Sequence, residues 1–109
     1  MGAGYKIIIA PFLKVSAMAL FPFILIKERR MAKDAVLINH ECIHLRQQIE
    51  LLIIPFYLLY LLNYLFNVLI YRSHHKAYMQ IVFEHEAYAN EADTGYLIRR
   101  KWQAWRRYF

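Results

Sequence analysis

Residues 40 to 44 read His40-Glu41-Cys42-Ile43-His44, an H-E-x-x-H pattern in a stretch free of Gly and Pro. Histidines four apart stand one helical turn apart on the same face, so both imidazoles can reach a single metal ion. Glu41 lies about 100° around the helix from His40, where its carboxylate can sit beside water on that ion. Neutral imidazoles bind zinc at about 2.0 Å while leaving a position open, and zinc brings the pKa of its bound water down to about 7. Glu41 can then take the proton as the activated water attacks a peptide carbonyl, and return it to the leaving amine. The chemistry expected of this segment is zinc-dependent hydrolysis of a peptide bond, with His40 and His44 as ligands and Glu41 as the catalytic base.

Two histidines do not close a site. The downstream segment Phe83-Glu84-His85-Glu86-Ala87-Tyr88-Ala89-Asn90-Glu91 offers the third ligand, with Glu84, Glu86 and His85 all of a suitable type. Together the two segments resemble the gluzincins, metallopeptidases whose H-E-x-x-H helix is joined by a glutamate from a later helix, often within E-x-x-A-D or E-x-E-A-N. The resemblance implies Glu84 as the third zinc ligand, with Glu86 as the runner-up. Tyr88 stands where those families often carry Asp or Asn, and Glu91, about two turns after Glu84, is placed to supply the contact usually made there. His40 through Gln48 and Phe83 through Tyr88 are also similar to small bacterial proteins with an H-E-x-I-H-x-R-Q-Q helix and a later F-E-x-E-A-Y segment. What these resemblances imply is a zincin-like fold, a peptide or protein substrate, and an edge strand, here within Ala19–Ile26, that holds substrate in extended form.

The elements that must position these residues can be read in outline. Asp34 is a helix N-cap, and a helix is expected from there to Ile54, ended or kinked by Pro55. A second, apolar helix is expected over Phe56–Tyr71, a polar turn carrying His74 and His75, and a third helix from Ala77 toward Thr94, with Gly95 as a cap or break. In the tail, Leu97, Trp102, Trp105 and Phe109 interleave with Arg99, Arg100, Lys101, Arg106 and Arg107, the spacing of a short amphipathic helix that docks on the domain or on a membrane. Before the H-E-x-x-H helix, Tyr5–Ile9 and Ala17–Lys27 read as two paired strands, Pro22 confining the second to an edge or a bulge, and Lys27–Asp34 as a surface loop. The expected fold is α+β and mainly helical, a strand pair followed by three or four helices in one domain, 1–109. Around the site, Gln47 and Gln48 could orient a ligand, Tyr88 could donate to an oxyanion, and Cys42 is expected to be merely buried.

Composition bounds the partners. In 109 residues, 60% are hydrophobic and 20% charged, and the formal charge is +6. Such a chain is densely cored or touches a membrane, and its charge favours an anionic neighbour, lipid headgroups or nucleic acid, which charge alone does not separate; a membrane surface is kept as a partner and nucleic acid is not expected. The single cysteine excludes an intramolecular disulfide, so an oxidising compartment is not required and a cytoplasmic location is the expectation, with peripheral attachment to the inner membrane left open. Lys6-Ile7-Ile8-Ile9 followed by Ala17-Met18-Ala19 imitates a secretory leader, but Pro11 and Lys14 interrupt it and cleavage is not expected. From Leu51 to Tyr71 no residue is charged, which meets the length of a transmembrane helix. A simple span would leave His44 and Glu84 on opposite sides of the bilayer, about 30 Å apart. The three-ligand site therefore calls for a helix packed within the domain or lying in the interface.

Overall fold

The computed structural model describes residues 5–109. Three short strands come first: β1 (Lys6–Ile9), β2 (Ala17–Leu20) and β3 (Phe23–Ile26). They form one sheet in the order β1-β3-β2, with β3 parallel to β1 and antiparallel to β2. The expected second strand, Ala17–Lys27, is thus a hairpin rather than one strand, and the expected pair is a three-stranded sheet. Phe21 and Pro22, joined by a cis peptide bond, lie between β2 and β3. Proline lacks the N–H a ladder needs, so it sits outside the strands. Along β3 burial alternates with the pleat, Ile24 and Ile26 being fully buried.

Helix α1 (Ala35–Glu50) follows a single 3-10 turn, Arg29–Lys33, in the segment expected to be loop. Asp34 caps α1, its Oδ1 accepting the Leu37 N–H at 3.1 Å. The helix stops four residues before Ile54, and the stop is made by backbone rather than by proline. Leu52 adopts a left-handed φ of 61°, the Ile53 N–H reaches back to Gln48 O at 2.7 Å, and the Leu52 N–H to Ile49 O at 3.2 Å. This is the paired closure that glycine usually makes at a helix end, built here on leucine. Pro55 then falls in the first turn of α2 (Ile54–Tyr71), where its missing N–H costs nothing.

The third expected helix is two. α3 (His74–Met79) is capped by Ser73, and α4 (Val82–Asn90) begins where Asn63 of α2 accepts the Val82 N–H at 2.9 Å. That long-range cap marks the start of α4, and the Ser73 cap of α3 places His74 and His75 in a helix instead of a turn. The tail also departs from its expected helix. α5 (Tyr96–Arg99) is one turn, and a 3-10 segment, Ala104–Tyr108, follows Gln103, whose φ is 57°. Leu97 and Trp105 are buried, whereas Trp102 and Phe109 are exposed, so only half of the interleaved apolar set docks.

The fold is α+β and mainly helical, with two apolar clusters. One joins Ala19, Ile24 and Ile26 of the sheet to Ile38, Cys42, Ile43 and Leu45 of α1, with Ala87 and Leu97. The other joins Phe56 of α2 to Ile81, Val82, Phe83 and Trp105. α1 buries a polar face as well, comprising Asn39, His40, Glu41, His44, Gln47, Gln48 and Glu50. Burying that many polar groups is tolerable only if each finds a partner.

Candidate metal centre

α1 presents His40 and His44 one turn apart, and α4 brings Glu84 onto them. Glu84 Oε1 lies 3.1 Å from His40 Nε2 and 3.0 Å from His44 Nε2, and the two Nε2 atoms are 3.2 Å apart. Tetrahedral ligands at about 2.0–2.1 Å from zinc stand roughly 3.3 Å from one another, so the triangle has the size such an ion requires. His40, His44 and Glu84 form a buried group able to hold a metal ion. Glu86, the runner-up, turns away toward Arg100, and His85 is exposed.

The hydrogen bonds around the triangle fix where its lone pairs point. Gln47 Nε2 donates to Phe83 O at 3.1 Å and to Glu86 Oε1 at 2.9 Å, so the other end of that amide is its oxygen. Gln47 Oε1 is 2.8 Å from His44 Nδ1 and can only accept, which puts the neutral ring's proton on Nδ1. Glu91 Oε1, 2.7 Å from His40 Nδ1, does the same for the other ring. Both Nε2 atoms therefore present lone pairs to a carboxylate oxygen. Three electron-rich atoms at this spacing repel one another unless a positive charge stands among them. A proton on one Nε2 relieves part of that repulsion, whereas a divalent cation relieves all of it.

The local electrostatics report the same demand for positive charge. Burial opposes a charge on His44, but the Glu84 carboxylate, together with Glu41 and the Gln47 hydrogen bond, more than offsets it and raises the imidazole's pKa. Burial likewise opposes ionisation of Glu84, yet positive charge on His44, the close contacts with both imidazoles and the hydrogen bond from Tyr60 hold its pKa well below the usual carboxylate range. Tyr60, on α2, donates to Glu84 Oε2 at 2.6 Å and leaves Oε1 to face the imidazoles. Glu41 is buried beside the group, and that burial raises its pKa against the pull of His44 and His40. A raised carboxylate pKa suits a residue that must pick up and release a proton.

The other expected site residues fall as follows. Gln47 holds His44, but Gln48 binds the sheet: its Nε2 donates to Ala19 O at 2.8 Å and its Oε1 accepts the Phe21 N–H at 2.8 Å. This alters the expected role of Ala19–Ile26. β3 is the central strand and has no free edge, and on edge strand β2 the groups nearest α1 are already taken by Gln48, with Tyr57 also donating to Ala19 O. Tyr88 packs edge-on against His40, ring centroids 4.5 Å apart, and its hydroxyl lies 2.9 Å from that of Tyr78. Cys42 is buried on the core side, and burial, aided by Glu41, pushes its thiol up to about 11.

Two features escaped the sequence reading. Tyr60 is one of many aromatics in an apolar stretch, and nothing local marks it as the partner of a carboxylate. Arg100, expected among the basic residues of an amphipathic tail helix, is buried, forming forked bonds to Glu50 (2.5 and 3.0 Å) and Glu86 (2.6 and 3.1 Å). Tyr96 adds a bond to Glu86 at 2.5 Å. No local signal marks the contact, because Glu50 has Arg46 one helical turn before it as a partner of opposite charge.

No family model, curated protein or solved structure matches this chain. Its functional reading rests on the site alone.

Proposed function

We propose that the chain is a zinc-dependent hydrolase of peptide bonds, organised as a small gluzincin-type centre. The observation that carries this is the convergence of His40 Nε2, His44 Nε2 and Glu84 Oε1 within 3.2 Å of one another, with both Nδ1 positions occupied by acceptors. His40, His44 and Glu84 would hold the ion, which supplies Lewis-acid polarisation of water and of the scissile carbonyl. Glu41 takes a proton from the attacking water on its carboxylate and delivers it to the departing amine nitrogen. Glu91 and Gln47 hold the imidazoles in the tautomer that ligation needs, and Tyr60 keeps Glu84 oriented by binding its second oxygen. Burial around Glu41 favours its neutral form, the form that donates in the second half of the cycle.

A second reading is a zinc centre that ties α1 to α4 without turnover. It is favoured by Gln48, which occupies the strand edge where an extended substrate would pair, and by the burial of His40, Glu41, His44 and Glu84, each only 5% exposed. One experiment separates the two. Purified protein is assayed for metal content and for cleavage of an unfolded protein substrate, alongside Glu41→Gln and His44→Ala. The hydrolase reading expects about one zinc per chain, retained in Glu41→Gln with cleavage lost, and both lost in His44→Ala. Zinc-loaded wild type that cleaves no faster than Glu41→Gln rejects hydrolysis and leaves the structural centre.

A further inference from the structure

Helix α2 is built inside out. The side chains it turns inward include Tyr60, Asn63, Tyr64 and Asn67, which bond Glu84, the Val82 N–H, His74 and Ala77 O. The side chains it turns outward include Leu58, Leu61, Leu62, Leu65, Phe66 and Leu69, between 48% and 77% exposed. Every exposed residue from Tyr57 to Tyr71 is Leu, Phe, Ile or Tyr, and the two tyrosines stand at the ends. A surface helix in water shows the opposite arrangement. Single exposed leucines are ordinary, but a continuous stripe of this length marks a docking surface.

Charge and geometry select its occupant. The uncharged stretch ends directly at Arg72, and Lys76 follows one turn later, both exposed. A leucine face with tyrosines at its limits and cations beyond is complementary to acyl chains, interface and anionic headgroups in turn. Pairing two copies through the same face would bring together two chains that each carry +6. α2 is long and apolar enough to cross a membrane. However, α3 and α4 run back along it and bond it at Ala77, Val82 and Glu84, so its inward face is committed to protein and the helix must lie in the plane of the bilayer.

We propose that α2 lays its leucine face into the headgroup–acyl boundary of a bilayer bearing anionic lipid, with Arg72 and Lys76 on headgroup phosphates. This surface stands independently of whether the metal centre turns over.

The test is flotation of the full chain with phosphatidylcholine vesicles with or without phosphatidylglycerol. Wild type is expected to float with the anionic vesicles, and Leu62→Glu/Leu65→Glu to lose at least ~10-fold in partitioning, given the apolar area withdrawn. Arg72→Gln/Lys76→Gln should lose roughly 5-fold per charge on anionic vesicles and little on neutral ones. Because the glutamate pair could disturb folding, Leu65→Trp provides a second readout: lipids brominated high on the acyl chain should quench its fluorescence beyond any quenching of Trp102 and Trp105 in wild type. Absence of wild-type flotation, or flotation without quenching at residue 65, overturns the proposal. So does a stable dimer that Leu62→Glu/Leu65→Glu converts to monomer in the absence of any vesicle binding.

Discussion

The tautomer assignment at His40 makes Glu91 a sharp probe of the metal centre. Glu91→Ala removes the acceptor 2.7 Å from His40 Nδ1 and frees the ring to place its proton on Nε2, where it blocks ligation. Loss of such an outer partner typically weakens metal affinity 10- to 100-fold, about 1.4–2.7 kcal/mol. The Glu91 side chain is 28% exposed, so water can replace part of the lost bond, and the effect should fall near the tenfold end. For the same reason the metal-free variant should lose only about 1 kcal/mol of stability. Glu91→Gln keeps a carbonyl oxygen to accept from Nδ1 and should lie between wild type and Glu91→Ala. Zinc affinity, measured by competition with a chromophoric chelator at fixed pH and salt, gives the order directly. If both variants bind zinc within about twofold of wild type, well short of the expected loss, the lone-pair reasoning fails even if the ion is present.

Stripping the metal with a chelator should lower the melting temperature by roughly 10–20 °C relative to protein in zinc at 100 times its Kd, a linkage of about 2.7 kcal/mol, and His44→Ala should show no such zinc dependence in calorimetry. Arg100→Met strands the buried carboxylates of Glu50 and Glu86 and should cost about 3–5 kcal/mol in denaturant titration. Leu52→Gly relieves the left-handed residue that closes α1 and should raise stability by about 1 kcal/mol in lipid-free buffer. Cys42, with its pKa pushed up to about 11 and its thiol buried, should resist iodoacetamide at pH 8, where a free thiol near its ordinary value reacts, and become labelled once denaturant is added.

The parts of this fold legible in the sequence are those set by local chemistry. Asp34 starts α1 because its side chain can bond the first turn, and the H-E-x-x-H spacing puts two imidazoles on one face whatever surrounds them. Positions fixed by distant partners were not legible. α1 ends on Leu52, which carries no glycine signal, and α4 starts where Asn63 of another helix supplies the cap. Gln47 and Gln48 are neighbours of one type, yet one serves a ligand and the other a strand, because adjacent helical positions point about 100° apart. Arg100 looked like one of the basic residues of an amphipathic tail helix, and only the meeting of Glu50 and Glu86 in space explains its burial. The spacing of Tyr60, Asn63, Tyr64 and Asn67 puts them on one face of α2, but only their partners on α3 and α4 show that this face points inward.

The amide of Gln47 ties two distant parts of the chain into one unit. Its orientation is set by Phe83 O and by Glu86, and Glu86 is itself held by Tyr96 and Arg100 from the last segment. The protonation pattern of His44 thus depends in part on groups more than fifty positions downstream, none of them in the His40–His44–Glu84 triangle. Damage to the tail would therefore loosen the alignment of His44 as well as weaken the fold.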